Sequence, residues 1–200
     1  MCGFGSSLAA LGDVDGNGIP DLAVGEAASD FGGFTNSGSL TLLYLAFGGS
    51  ELSRTVLHLG VEHPLFSVRP QGGHSLGTAI APAGDVNGDG TIDLLVGDPV
   101  NPSQRGGFDL LLMGRGSNGQ AVGATSLRRS FPSAVPDAEF NAGGRLGQGL
   151  VGLGDLNGDG FLNFAVGRPA WGENAERVLL LSSAYKAGPG ACAGALRLAQ

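Results

Sequence analysis

Asp85-Val86-Asn87-Gly88-Asp89-Gly90-Thr91-Ile92-Asp93 carries side-chain oxygens at its first, third, fifth and ninth positions. Glycines at the fourth and sixth positions let the backbone curl tightly round a centre. Hard divalent cations take roughly six to eight oxygens at about 2.3–2.6 Å, from carboxylates, amides, backbone carbonyls and water. Three of the four side chains are carboxylates, and crowding them with no cation is repulsive. The stretch predicts a calcium loop.

Two further copies flank it. Asp13-Val14-Asp15-Gly16-Asn17-Gly18-Ile19-Pro20-Asp21 precedes it, and Asp155-Leu156-Asn157-Gly158-Asp159-Gly160-Phe161-Leu162-Asn163 follows. The copies begin at 13, 85 and 155, so they stand 72 and 70 residues apart. One motif per fixed period marks a repeat architecture.

Composition bounds the rest. With 38 glycines, 42% hydrophobic and 14% charged residues, the 200-residue chain reads as folded and turn-rich, not disordered. Its net charge is −7, but the three loops hold eight of the 18 acidic residues, so bound metal would neutralise much of the excess. The only adjacent basic pair is Arg128-Arg129, which argues against nucleic acid as a partner. No apolar run reaches membrane-spanning length, and Met1-Cys2-Gly3-Phe4-Gly5 lacks the layout of a signal peptide. Cys2 and Cys192 are the two cysteines; a terminus-to-terminus disulfide and two free thiols both stay open.

The apolar runs are short and bounded by turn residues, which favours strands over helices. The first repeat offers Leu8–Leu11, Leu22–Gly25, Leu40–Leu45 and Val56–Leu59. The second offers Phe108–Met113 as its third strand and a weaker fourth around Ser126–Phe131. The third offers Leu150–Leu153, Phe164–Gly167, Val178–Leu181 and a poorly marked Ala195–Leu198. Four short strands per repeat make the unit of a β-propeller blade. The fold expectation is all-β: one repeat domain over 1–200, with four-stranded antiparallel blades at about 1–70, 71–140 and 141–200. The segments Pro99–Gly107 and Pro132–Gly144 read as exposed loops.

Phe4-Gly5, Leu76-Gly77 and Leu146-Gly147 stand at one fixed offset before the loops. Gly25-Glu26-Ala27, Gly97-Asp98-Pro99 and Gly167-Arg168-Pro169 stand at another after them. This joint pattern resembles the FG-GAP repeats of integrin alpha-subunit β-propellers and their bacterial relatives. It departs from them in having one literal Phe-Gly, degenerate Gly-Ala-Pro elements and three repeats where the family's propellers usually have seven. Three blades cannot wrap round an axis, so the propeller is expected to be incomplete or open. The abrupt start favours a fragment of a longer propeller; self-association of copies to complete a ring is the other arrangement.

The expected ligands are Asp13, Asp15, Asn17 and Asp21; Asp85, Asn87, Asp89 and Asp93; and Asp155, Asn157, Asp159 and Asn163. The resemblance adds the seventh-position carbonyls of Ile19, Thr91 and Phe161. Up to three Ca2+ ions would bind, the third most weakly because Asn163 replaces a carboxylate. A plain Asx/Gly turn with no metal is the competing account of any single copy, and recurrence of aligned oxygens weighs against it. An EF-hand is excluded because its twelfth position needs a bidentate Glu, where Val24, Val96 and Val166 stand here. Gly73-His74-Ser75-Leu76-Gly77 matches Gly-x-Ser-x-Gly, but none of the three histidines (His58, His63, His74) follows Ser75, and the match overlaps the Leu-Gly of the repeat. His58, His63 and Trp171 read as packing or surface residues.

The resemblance implies a non-catalytic, extracellular or cell-surface scaffold whose blade-edge loops recognise a protein or carbohydrate. The alternatives are a non-catalytic propeller segment of a larger secreted enzyme and a truncated gene product.

Overall fold

Leucine, valine and alanine runs broken by glycine give strands too short to stand alone, so each must pair and bury its faces. The computed structural model describes residues 3–31, 33–58, 73–100, 106–115, 121–129, 145–169, 177–183 and 197–198. Twelve strands form there, and no helix occurs among the described residues. In chain order they are β1 (Phe4–Gly12), β2 (Asp21–Glu26), β3 (Ser39–Leu45), β4 (Glu51–His58), β5 (Ile80–Gly84), β6 (Asp93–Gly97), β7 (Phe108–Arg115), β8 (Ala121–Arg129), β9 (Gly149–Gly154), β10 (Asn163–Arg168), β11 (Arg177–Ser182) and β12 (Arg197–Leu198).

They make three four-stranded sheets, each a meander in sequence order: β1-β2-β3-β4, β5-β6-β7-β8 and β9-β10-β11-β12. All pairings are antiparallel. The inner strands β1, β5 and β9 succeed one another from sheet to sheet. These are three blades of an open β-propeller. The fourth strands differ most from expectation. β4 begins at Glu51, well before Val56, and β8 runs over Ala121–Arg129, where Ser126–Phe131 was expected. Both are outer strands carrying polar residues, so hydrophobic pattern marks them poorly. Leu59, Phe131, Ala195 and Leu196 lie outside the described residues, as do Cys2, Cys192, His63 and Trp171.

The core lies between blades. One cluster joins Ala23, Leu40, Leu42 and Tyr44 of the first blade to Ile80, Leu94, Val96 and Met113 of the second. The other joins Ala81, Leu95, Phe108 and Leu110 of the second to Phe164, Val166, Leu179 and Leu181 of the third. Side chains alternate along a strand. In β6, Leu94 and Val96 therefore face one neighbour and Leu95 the other, which explains an unbroken apolar run.

The Leu-Gly elements are the joints. Leu76 is fully buried and bridges in parallel to Gly38, just before β3; Leu146 does the same with Gly106, before β7. A Cβ at Gly25 would meet Gly77 O at 2.1 Å, and one at Gly97 would meet Gly147 O at 2.1 Å. These glycines let successive blades touch backbone to backbone. Gly106 and Gly107 are buried in such a joint, which corrects the expectation of an exposed loop running to Gly107. Of that loop 101–105, and of the second 132–144, lie outside the described residues.

Candidate metal-binding loops

Each loop closes on its own first carboxylate. Asp13 Oδ1 accepts the N–H of Gly16 and Asn17 at 2.8 and 2.9 Å, and Oδ2 that of Gly18 at 2.8 Å. Asp85 repeats this with Gly88, Asp89 and Gly90 at 2.7, 3.0 and 2.8 Å. Asp155 does so with Gly158, Asp159 and Gly160 at 2.8, 3.2 and 2.8 Å. The fourth and sixth glycines adopt the left-handed backbone that aims these amides inward, with φ of 77° and 85° at Gly88 and Gly90.

These donors answer part of the repulsion that the sequence implies. The Gly18 N–H, followed by those of Gly16 and Asn17, holds the Asp13 carboxyl below its usual range, against an opposing effect of burial. Gly160 leads the same effect at Asp155, helped by Gly158 and opposed by burial.

The fifth residue positions the seventh. Asn17 Oδ1, Asp89 Oδ1 and Asp159 Oδ1 accept the N–H of Ile19, Thr91 and Phe161 at 2.7, 2.8 and 2.8 Å. The third residue tethers the fifth. Asn17 donates its amide to Asp15 Oδ2 at 3.0 Å, while Asn87 and Asn157 donate theirs to Asp89 and Asp159, also at 3.0 Å.

The ninth residue has a role that spacing did not reveal. Asp21 is buried, with Oδ2 accepting Val14 N–H and Oδ1 accepting Leu45 N–H, both at 2.9 Å. Asp93 does the same with Val86 and Met113, both at 2.7 Å. It thus ties the start of each loop to the third strand of its blade. Each oxygen keeps a further lone pair for a cation. In the third loop, Asn163 Oδ1 takes Leu156 N–H at 2.8 Å, and Ser183 secures that end by accepting Leu162 N–H at 3.1 Å. An amide suffices where one acceptor is required. Burial pushes the Asp93 carboxyl up to about 7, against the bonds from Met113 and Val86 and reinforced by the charges of Asp89 and Asp85.

One carboxylate oxygen from each of Asp13, Asp15 and Asp21 lies within 4.8 Å of the other two. Among the described residues no other group of three acidic, histidine or cysteine side chains is drawn together so closely. Asp85, Asp89 and Asp93 share one loop without that convergence. The first loop's donor set, three hard carboxylates beside an amide oxygen, fits a calcium-type cation.

Ser75 has a positive φ of 57°, as an exposed nucleophile would, but its surroundings differ from those of an elbow. It donates its N–H to Asn36 O at 3.0 Å across the blade joint, and the chain continues into β5, not a helix. His74 is buried with Nδ1 2.8 Å from Asp98 Oδ2, bracing the same joint. His58 stacks on Phe31 at 3.9 Å between ring centroids.

A family model described as FG-GAP repeat matches residues 4–43, which take in the first joint element, the first loop and most of β3. The chain is 30% identical over 187 residues to integrin alpha-PS2 of Drosophila melanogaster, covering 89% of this chain and 11% of that protein. It is 32% identical over 201 residues to integrin alpha-IIb of Homo sapiens, covering 92% and 16%. Integrin alpha-V of Gallus gallus is 30% identical over 173 residues, covering 82% and 14%. The chain thus spans between about a tenth and a sixth of the length of these relatives.

Proposed function

Because this chain is an FG-GAP repeat protein, similar to integrin alpha subunits over most of its length, we propose that it is a calcium-stiffened, non-catalytic scaffold for recognising a protein ligand at the cell surface or outside the cell. The observation that carries the calcium part is the convergence of Asp13, Asp15 and Asp21. In the first loop those carboxylates, the Asn17 side chain and the Ile19 carbonyl would hold the ion. The corresponding sets are Asp85, Asn87, Asp89, Thr91 and Asp93, and Asp155, Asn157, Asp159, Phe161 and Asn163. The ion would supply positive charge and a fixed centre, and no chemistry.

The strand order supports a division of labour. The calcium loops join first to second strands, so they share one end of the sheets with the β3–β4 turn. Connections from second to third strands emerge at the opposite end. There residues 33–36 of the first blade, Phe34 among them, stand exposed. Recognition is assigned to that rim, away from the metal. No helix among the described residues is long and apolar enough to cross a membrane.

Calorimetric titration with calcium tests the reading. The wild-type chain should bind in the range of extracellular sites, on the order of 10⁻⁴–10⁻³ M, and Asp13→Asn should remove the first site. Absence of any calcium heat, with an unchanged melting curve at millimolar calcium, would sink it.

A further inference from the structure

Each loop contains an Asn-Gly step: Asn17-Gly18, Asn87-Gly88 and Asn157-Gly158. An asparagine side chain can be attacked by the peptide nitrogen of the residue that follows it. The nitrogen bonds to the carboxamide carbon, ammonia leaves, and a cyclic imide closes on the backbone. Glycine favours this, having no Cβ to keep its nitrogen from the side chain. Such a closure is helped by a base that takes the N–H proton and by a side chain already folded over its own peptide. A donor to the oxygen on which negative charge gathers helps further.

The second and third loops supply all of these. Gly88 N–H, on the attacking nitrogen, donates to Asp85 Oδ1 at 2.7 Å, and Gly158 N–H to Asp155 Oδ1 at 2.8 Å. Asn87 Oδ1 accepts the N–H of Asp89 at 3.0 Å, and Asn157 Oδ1 that of Asp159 at 3.3 Å. A bond reaching two residues ahead folds the carboxamide over the peptide between, and it polarises the oxygen that turns anionic on attack. The leaving nitrogen is lightly held. Asn87 Nδ2 and Asn157 Nδ2 donate to the side chains of Asp89 and Asp159 at 3.0 Å and, among the described residues, to no backbone oxygen.

The first loop has the base and the fold but clamps the leaving group. Gly18 N–H donates to Asp13 Oδ2 at 2.8 Å, and Asn17 Oδ1 accepts Ile19 N–H at 2.7 Å. Asn17 Nδ2, however, donates both to Asp15 Oδ2 at 3.0 Å and to the Leu45 carbonyl, at the end of β3, at 2.8 Å. Loss of ammonia would leave a carboxylate oxygen facing that fixed carbonyl, two acceptors with no proton between them. It would also forfeit the bond that ties the loop to its blade.

We infer that Asn87 and Asn157 are sites of deamidation promoted by their own loops, and that Asn17 is protected from it. The proton on Gly88 N or Gly158 N passes to the first-position carboxylate, and the nitrogen attacks Cγ. The Cγ–Nδ2 bond breaks, and Nδ2 takes that proton by way of water and departs as ammonia. Water then opens the imide at either carbonyl, giving aspartate or the isomer whose main chain runs through the side-chain carbon. The net change consumes one water and releases one ammonia. No step needs a bound ion. Either product adds a carboxylate, so the third loop would rise from two, Asp155 and Asp159, to three.

Timed incubation of the folded 200-residue chain in calcium-free, mildly alkaline buffer, with peptide mapping by mass spectrometry, tests this against synthetic peptides spanning each loop. Asn87 and Asn157 should convert about tenfold faster in the folded chain than in their peptides, short of the roughly 10²–10⁴-fold that an evolved acid–base group gives. Asn17 should convert more slowly than in its peptide. Asp155→Asn, checked for folding by circular dichroism, should bring Asn157 down to its peptide's rate while Asn87 keeps its own. Conversion of Asn87 and Asn157 no faster than in the peptides overturns the inference, whatever the variant does. So does an Asn17 that converts as fast as Asn87, or an Asn157 whose rate survives Asp155→Asn in a folded chain.

Discussion

Gly97→Ala should destabilise this protein although alanine suits a strand better than glycine does. The ideal Cβ would stand 2.1 Å from Gly147 O, where ordinary contact begins at 3.4 Å, so the second and third blades would have to part by about 1.3 Å at that point. The obstacle is backbone, with no flexible side chain to swing away. Overpacking of this kind costs ~1–3 kcal/mol, and the upper part of the range applies because the contact lies at the edge of a close-packed core. Removing a glycine from a strand returns ~0.5–1 kcal/mol. The net loss should be about 2 kcal/mol, which for a chain of this size lowers Tm by about 4–8 °C. Gly25→Ala should behave alike, since its Cβ would meet Gly77 O at 2.1 Å. Gly167→Ala is the internal control; with its nearest atom at 3.5 Å it should stay within ~0.5 kcal/mol of wild type. Thermal melts of the four proteins at low concentration, where self-association does not contribute, make the comparison. Equal stability of Gly97→Ala and wild type, or equal loss from Gly167→Ala and Gly97→Ala, would refute the account of the joint.

Calcium at about ten times its dissociation constant should stabilise the fold by ~1–2 kcal/mol, reversibly on chelation, and Asp15→Asn should shrink that gain, as read by differential scanning fluorimetry. Because burial raises the Asp93 carboxyl to about 7, the folded form keeps its proton after the unfolded chain has released one. Stability of the calcium-free protein should therefore fall as pH climbs from about 4 to 7, by at most ~4 kcal/mol, and Asp93→Asn should flatten the slope in pH-dependent melts. Asp13 and Asp155, whose carboxyls are held low, act in the opposite sense and in a separate window, withdrawing stability as pH drops below about 4. Asn163→Asp should tighten calcium at the third loop, where Asp155 and Asp159 supply the present carboxylates, and unchanged calorimetry would remove the ninth residue from the ligand set.

What could be read in advance was whatever recurs at fixed spacing. The three loops, the four-strand blade and the offsets of the Leu-Gly and Gly-x-Pro elements all follow from comparing the chain with itself. The inner strands were legible as short apolar runs between turn residues, even where, as in β9, none of those residues is buried. The outer strands β4 and β8 were not, because an edge strand pairs on one side and tolerates residues such as Glu51 and Arg54. Nor did spacing disclose that Asp21 and Asp93 each bind two backbone amides. Ser183, 20 residues beyond Asn163, is likewise invisible to any local motif. A carboxylate that caps a backbone and one that ligates an ion have the same letter in the sequence.

That double use bears on what an ion would change. Asp21 and Asp93 hold the loop to the third strand through amides alone, so a blade keeps its internal order without metal. The eighth loop residue points elsewhere, since Ile92 and Leu162 meet the preceding blade at Gly12 and Gly84. One residue on each side of that contact belongs to the ligand set proposed for its loop: Thr91 and Asp93, Phe161 and Asn163. Fixing those neighbours fixes the angle at which Ile92 or Leu162 leaves the loop, and with it the seat of one blade on the next. Calcium bound as proposed would therefore act chiefly on the joints. Its loss should loosen blade against blade while each four-stranded sheet persists, so amide exchange should quicken first at the Ser75–Asn36 and Gly107–Leu146 hydrogen bonds and only later within β2 and β6.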